Sequence, residues 1–398
     1  MARTTMTMSS GGRIAEHLSI GILARTYPRE RIKQILQELG LESKRVRDLP
    51  AEVLVYYVIA LGLFMAVSTG EVLRCLVEGL QWLGGQSPLK LAGKAAISQA
   101  RSRLGAAPLK ALWQQSVQLL GLQEQAGCFY RGLRLVAIDG STLDVPDTEE
   151  NRAYFGRQKS SRGQAAFPQL RFVSLCECGP RAIFALRMGP YRSHESSLAQ
   201  ELIGELKPGM LCLADRLYAN FSLWHKAAQS GAALLWRTRS NANLPLEQVL
   251  ADGSYLSRIY PSQKAQRQKR DGLVVRVIEY ELAGVEAAEP LYRLITTLLE
   301  SSEAPAEELA GLYPQRWEIE TVLDEFKTHL RGGQVVLRSK TPQLIEQEFY
   351  GMMLAHRAVR TLMNEAAQYQ HLDPDRLSFS HSLRVIRRKL AATPAIPP

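Results

Sequence analysis

Between positions 313 and 327 the chain reads Tyr-Pro-Gln-Arg-Trp-Glu-Ile-Glu-Thr-Val-Leu-Asp-Glu-Phe-Lys. On a helix advancing about 100° per residue, Tyr313, Arg316, Glu320 and Lys327 fall within roughly 60° of one another. Ile319, Val322, Leu323, Phe326 and Leu330 gather on an adjoining face. The segment therefore predicts a helix with an apolar stripe in a core. Beside that stripe lies a carboxylate flanked by two cations and a phenol. Phosphoryl transfer needs such a set, because the acid can hold a hard divalent cation while the cations hold phosphate oxygens.

Two more acids stand where that chemistry would want them. Residues 133–139, Leu-Arg-Leu-Val-Ala-Ile-Asp, read as a strand ending in Asp139, with Gly140 as a turn. Residues 210–215, Met-Leu-Cys-Leu-Ala-Asp, read as a short buried strand ending in Asp215. Active sites of open α/β sheets gather at such strand ends. Two strand-end carboxylates and Glu320 can hold a pair of divalent ions about 4 Å apart. Hard carboxylate oxygens suit Mg²⁺ or Mn²⁺. Taken singly, an Asp-Gly is more often a plain turn, and Asp144, Asp147, Asp324 and Glu325 compete for the role. The order of the three acids, with the cationic stripe, singles out Asp139, Asp215 and Glu320. Other chemistries lack their residues: there is no Gly-x-x-x-x-Gly-Lys-Ser/Thr loop, no Gly-x-Ser-x-Gly elbow and no zincin spacing of histidines.

The elements that must position these acids follow from the pattern. Residues 1–128 predict an all-helical N-terminal domain, in which Arg101 and Arg103 face either phosphates or solvent. Residues 129–239 predict a mixed sheet with helices on its faces, including a hairpin over 170–188 and an amphipathic helix over 194–206 capped by Ser193. Residues 240–295 read as a β-rich insertion. Its hairpin tip carries Lys264, Arg267, Lys269 and Arg270, and like charges gathered at a tip favour an anionic ligand. Residues 296–365 return to the core, and 366–398 form a helical tail.

With 398 residues the chain can bury more than one core. A net charge of +10 favours a polyanionic partner, most simply nucleic acid. Five cysteines, sparse and odd in number, point to a reducing compartment. The polar stretch 1–13 has no apolar signal core, and the apolar run 53–67 is too short for a membrane span of about 20 residues. A cytoplasmic protein is expected.

The spacing Tyr-x2-Arg-x3-Glu-x6-Lys matches the Tyr-Arg-Glu-Lys signature of bacterial DDE transposases of the insertion-sequence-four family. Ile138-Asp139-Gly140-Ser-Thr and Ala214-Asp215-Arg-Leu-Tyr218-Ala-Asn220 resemble that family's two Asp motifs, in the right order, and the likeness extends over most of the chain. The resemblance implies an α/β, ribonuclease-H-like mixed-sheet core interrupted by the β insertion, with an N-terminal domain that binds DNA ends. It implies Asp139, Asp215 and Glu320 as catalytic, metal-binding acids, with Mg²⁺ or Mn²⁺ as two ions. Tyr313, Arg316 and Lys327 carry over as DNA-phosphate contacts, and Trp317 as a residue that stacks on DNA. The implied reaction is cut-and-paste transposition, in which an end is nicked, a hairpin forms and opens, and the end joins target DNA. The implied partners are double-stranded terminal inverted repeats and target DNA, bound by a homodimer in a synaptic complex at the bacterial nucleoid, away from membranes. The family also flips a base onto a tryptophan of the insertion; this chain has no tryptophan between 241 and 300, and Trp236 precedes that segment. Two rival readings are a nuclease of the same fold without strand transfer and an inactive, domesticated DNA-binding descendant.

Overall fold

The computed structural model describes residues 23–43, 49–84, 93–160, 163–281, 291–332 and 336–391. The polar stretch 1–13 lies outside them. The chain divides into two compact units: Met1–Gln118, Leu143–Gln169 and Asp324–Pro398 form one, and Leu119–Thr142 with Leu170–Leu323 the other.

The first unit is helical at its centre. Ala51–Leu63 is apolar on every side and every residue from Leu54 to Leu63 is buried, as expected of a helix enclosed by others. Its main neighbour is Pro342–Tyr369, whose N-cap Thr341 accepts from the Leu344 amide. The two approach backbone to backbone at glycines. An added Cβ on Gly351 would lie 2.7 Å from the Val58 carbonyl oxygen, and one on Gly62 2.9 Å from the Met352 Cα. Arg101, on Lys94–Leu104, does not face phosphates or solvent: it is buried and donates to Gln347 (2.8 Å) and Ser339 (2.9 Å).

The second unit is built on a mixed sheet. In chain order its strands are β1 (Phe129–Tyr130), β2 (Leu133–Asp144), then, after a two-stranded ribbon of the first unit, β3 (Lys159–Ser160) and β4 (Gly163–Gln164), β5 (Gln169–Glu177), β6 (Ala182–Pro190), β7 (Met210–Ala214), β8 (Ala233–Arg237), β9 (Gln248–Val249), β10 (Tyr255–Ile259), β11 (Leu273–Tyr280) and β12 (Tyr292–Thr296). They run β6-β5-β2-β7-β8-β12-β11-β10-β9, with β1 on β2. The pairs β2–β7 and β7–β8 are parallel, whereas β5–β6 and every pair from β8 to β9 are antiparallel. The 240–295 segment thus prolongs the core sheet through β12 on β8.

Alternation along the strands sets one face of this sheet. Val136 and Ile138, Cys212 and Ala214, and Leu234 and Trp236 pack with Leu198, Leu202, Leu223 and Trp224, from helices Glu195–Leu202 and Phe221–Gln229. The first of those helices starts later than the sequence predicts. His194 is its N-cap residue and makes no side-chain cap, so Ser193 does not serve.

Gly140 makes no turn. β2 continues to Asp144, because burial at alternate residues Ser141, Leu143 and Val145 sustains the strand pattern beyond it. The signature segment is not one uniform helix either. It is a 3₁₀ turn over Tyr313–Arg316, an α-helix over Trp317–Asp324 and a π-helical turn over Glu325–Leu330. These differ in residues per turn, so the even 100° spacing does not hold along it. The π turn begins at Glu325, which is buried and bound by Arg360.

Candidate active site

The strand register brings the two aspartates together. Ile138 pairs with Ala214 as the last rung of the parallel β2–β7 ladder, so Asp139 and Asp215 are the next residue on each of two adjacent strands. Such strands lie about 4.8 Å apart. Asp139 Oδ1 accepts from the Gly140 amide (2.8 Å). Asp215 Oδ1 accepts from the Leu217 amide (2.7 Å), which folds the chain into a tight turn after β7. That turn ends at Asn220, whose side chain caps Phe221–Gln229.

Glu320 enters from the signature helix. That helix is tethered to the sheet by Arg181, just before β6, which donates to both oxygens of the buried Glu318 (2.6 and 2.8 Å). Tyr313 is buried, and its hydroxyl donates to the carbonyl of Ala214 (3.3 Å), next to Asp215. In this structure the phenol therefore fastens the helix to β7. Arg316 is buried and donates to Glu320 across 2.7 Å, while its guanidinium lies 5.0 Å from the Trp317 ring. Its Nε has no hydrogen-bond partner among the described residues. Trp317 itself is 59% exposed, unusual for so large an apolar ring.

Electrostatics mark Asp139 as the strained member. Burial raises its carboxyl to about 6; the Gly140 amide opposes this, the charges of Glu195 and Glu320 add to it, and Arg316 subtracts. A half-buried carboxylate facing two other acids is the setting that a bound divalent cation relieves, and all these donors are hard oxygens. Among the described residues no group of three His, Cys, Asp or Glu is disposed to hold a metal ion as it stands. Glu320 is instead turned to Arg316.

The remaining nominated residues lie elsewhere. Lys264, Arg267, Lys269 and Arg270 are all exposed at the tip of the β10–β11 hairpin, on and just after a short helix, Gln263–Gln268. Ser262 caps that helix, and Lys269 closes it in the left-handed conformation. Lys327 belongs to the π turn of the first unit and is half-buried. Of the competitors, Asp144 accepts from Gln169, Asp147 pairs with Arg152 and Arg157, Asp324 accepts from Thr328, and Glu325 is buried against Arg360.

One acid at the site carries no sequence mark of its own. Glu195, the first residue of its helix, reaches the backbone of Gly140. The sequence offers no signal for it, because Gly140 after Asp139 reads as a turn glycine and only the continuation of β2 shows otherwise.

A family model for the insertion element 4 transposase N-terminal region matches residues 17–114, and one for the transposase DDE domain matches 130–357. Transposase InsG of insertion sequence element IS4 from Escherichia coli K12 is 32% identical over 367 residues, which cover 91% of this chain and 80% of that protein. The chain belongs to the IS4 family of DDE transposases. A putative transposase InsZ, also from Escherichia coli K12, is 28% identical over 233 residues, covering 58% of this chain and 75% of its own length. Among solved structures, a piggyBac transposase synaptic complex with hairpin DNA aligns over 94% of this chain and 80% of its own, with TM-score 0.48 and 14% identity. As a DDE transposase of this family the protein is a DNA-cleaving, phosphoryl-transferring enzyme with a ribonuclease-H-like core. Domains of this type generally work with divalent metal ions. Among the described residues no helix is long and apolar enough to cross a membrane.

Proposed function

We propose that this transposase moves an insertion sequence by cut-and-paste transposition, with Asp139, Asp215 and Glu320 as the acids that hold two divalent ions, Mg²⁺ or Mn²⁺. The observation that carries this reading is the register of β2 and β7, which sets Asp139 and Asp215 side by side, with the Glu320 charge acting on Asp139. Such ions, when bound, make water or a 3′-hydroxyl a better nucleophile and stabilise the departing oxygen.

The side chains do the rest. Arg316, buried and with an unmatched Nε–H, takes a phosphate at the scissile end. In turning to that phosphate it releases Glu320 from their ion pair. The exposed Trp317 ring stacks on a DNA base, and Lys327 adds a phosphate contact. Tyr313 acts first by holding the helix on β7 and reaches phosphate only if that bond opens. Lys264, Arg267, Lys269 and Arg270 track the backbone of the terminal repeat. Water cuts one strand, the freed 3′-hydroxyl attacks the opposite strand to form a hairpin, and a second water opens it. The end then joins target DNA. Two copies bridge the two ends in a synaptic complex, at the nucleoid where the DNA lies.

Purified protein, its own terminal repeats and Mg²⁺ test this. Asp139→Ala, Asp215→Ala and Glu320→Ala should each abolish end cleavage and leave end binding in place; full activity in any one of them refutes the triad. Joining of pre-cleaved ends to target DNA separates a transposase from a nuclease that only cuts.

A further inference from the structure

Three observations converge on Glu195, outside the signature and both Asp motifs. Its carboxylate accepts from the hydroxyl of Tyr218 at 2.6 Å. Tyr218 is 1% exposed, and its amide donates to the Asp215 carbonyl (3.1 Å), so the phenol is rigidly part of the Asp215 turn. On its other side the Glu195 side chain covers the backbone next to Asp139. A Cβ on Gly140 would lie 2.7 Å from the Glu195 Cδ, closer than real atoms come. Gly140 has no left-handed φ. Its missing side chain therefore makes room rather than a turn.

We infer that Gly140, Glu195 and Tyr218 form a clasp that fixes the spacing of the two catalytic aspartates. The β2–β7 ladder ends at Ile138 and Ala214, so no backbone pairing of that ladder holds Asp139 and Asp215 to each other. Glu195 supplies the missing tie. It presses on the strand that carries Asp139 and anchors the turn that carries Asp215. A buried phenol with its acceptor in place resists displacement, since breaking the bond strands a polar group away from water. Glu195 and Tyr218 are thus positioning residues: they act through the aspartates and need not touch DNA.

This role rests on the triad reading, and the test separates the two. Glu195→Ala and Tyr218→Phe each remove the tie, while Glu195→Gln keeps an oxygen that accepts from Tyr218. End cleavage should fall by about 10–100-fold in Glu195→Ala and Tyr218→Phe, as when supporting hydrogen bonds of a metal site are removed. Binding of terminal-repeat DNA should persist. Glu195→Gln should restore most of the activity. A second readout needs no catalysis: Mn²⁺ alone should raise the thermal midpoint of wild-type protein by binding only the folded state. That rise should shrink in Glu195→Ala and Tyr218→Phe and return in Glu195→Gln. Wild-type-like Tyr218→Phe overturns the clasp while leaving the triad standing. Equal defects in Glu195→Gln and Glu195→Ala overturn it too, by showing that the charge itself matters. A wild type that neither cleaves its ends nor responds to Mn²⁺ overturns the triad, and the clasp with it.

Discussion

Arg360→Met probes the charge cluster at the foot of the π turn. Arg360 is 1% exposed and Glu325 4%. Arg360 Nε donates to Glu325 Oε2 at 2.9 Å, and Nη2 bonds the other oxygen, making a two-pronged buried pair. Methionine fills much of the volume but leaves the carboxylate without its cation. Removing one partner of a buried pair costs about 3–5 kcal/mol. One neighbour softens the penalty. His356 Nε2 lies 3.2 Å from the same Glu325 Oε2 and is held neutral chiefly by burial, which lowers its pKa, with Arg360 lowering it further. With Arg360 gone, His356 gains in proton affinity and can pair with Glu325. Raising the folded-state pKa relative to wild type offsets part of the penalty where the pH is low enough to protonate His356, and that offset is lost as pH rises. The penalty should therefore be near its full value at about pH 8 and clearly smaller at about pH 5.5. Urea unfolding followed by far-ultraviolet circular dichroism measures both; at pH 8 the midpoint should drop by about 1–2 M. Adding Glu325→Leu removes the stranded charge and should recover most of the stability. A single variant within about 1 kcal/mol of wild type at pH 8, or a double variant no better than the single, refutes the account of this cluster.

Two further outcomes concern DNA. Reversing the charge at Lys264, Arg267, Lys269 and Arg270 should weaken end binding and flatten its salt dependence, by about 0.9 in the log–log slope for each phosphate that is no longer neutralised; an unchanged slope in a salt titration removes this helix from the interface. Trp317→Ala should leave thermal stability nearly unchanged, because the ring is 59% exposed, yet weaken end binding by about 1–3 kcal/mol if the ring stacks on a base. Equal dissociation constants for the two proteins would deny Trp317 that role.

The aspartates were legible because each follows a continuous run of buried apolar residues, Leu135 to Ile138 and Met210 to Ala214, and Ile138 and Ala214 do prove to be the last rung between them. The family signature added Glu320 and Arg316, whose ion pair spans the helical i, i+4 spacing that the letters display. Other features depend on partners distant in sequence. Arg101 and Arg103 look alike in one helix, but only Arg101 meets Gln347 and Ser339 and is buried. The π turn was hidden for the same reason, since Arg360 and His356 surround Glu325 from another helix. Gly140 misled because Asp-Gly is a common turn pair, whereas here the glycine clears space for Glu195.

The glycine contact between Ala51–Leu63 and Pro342–Tyr369 also sets a timetable for biosynthesis. At about 5–20 residues per second, the roughly 290 residues between Gly62 and Gly351 take about 15–60 s to leave the ribosome. Throughout that interval a helix that is buried all round in the finished protein lacks the surface that encloses it. The N-terminal segment cannot complete its native packing while the chain is being made. Both aspartates emerge before the helix that seals this region, so a stalled or truncated translation product carries an exposed apolar helix and is a natural client for chaperones and proteases.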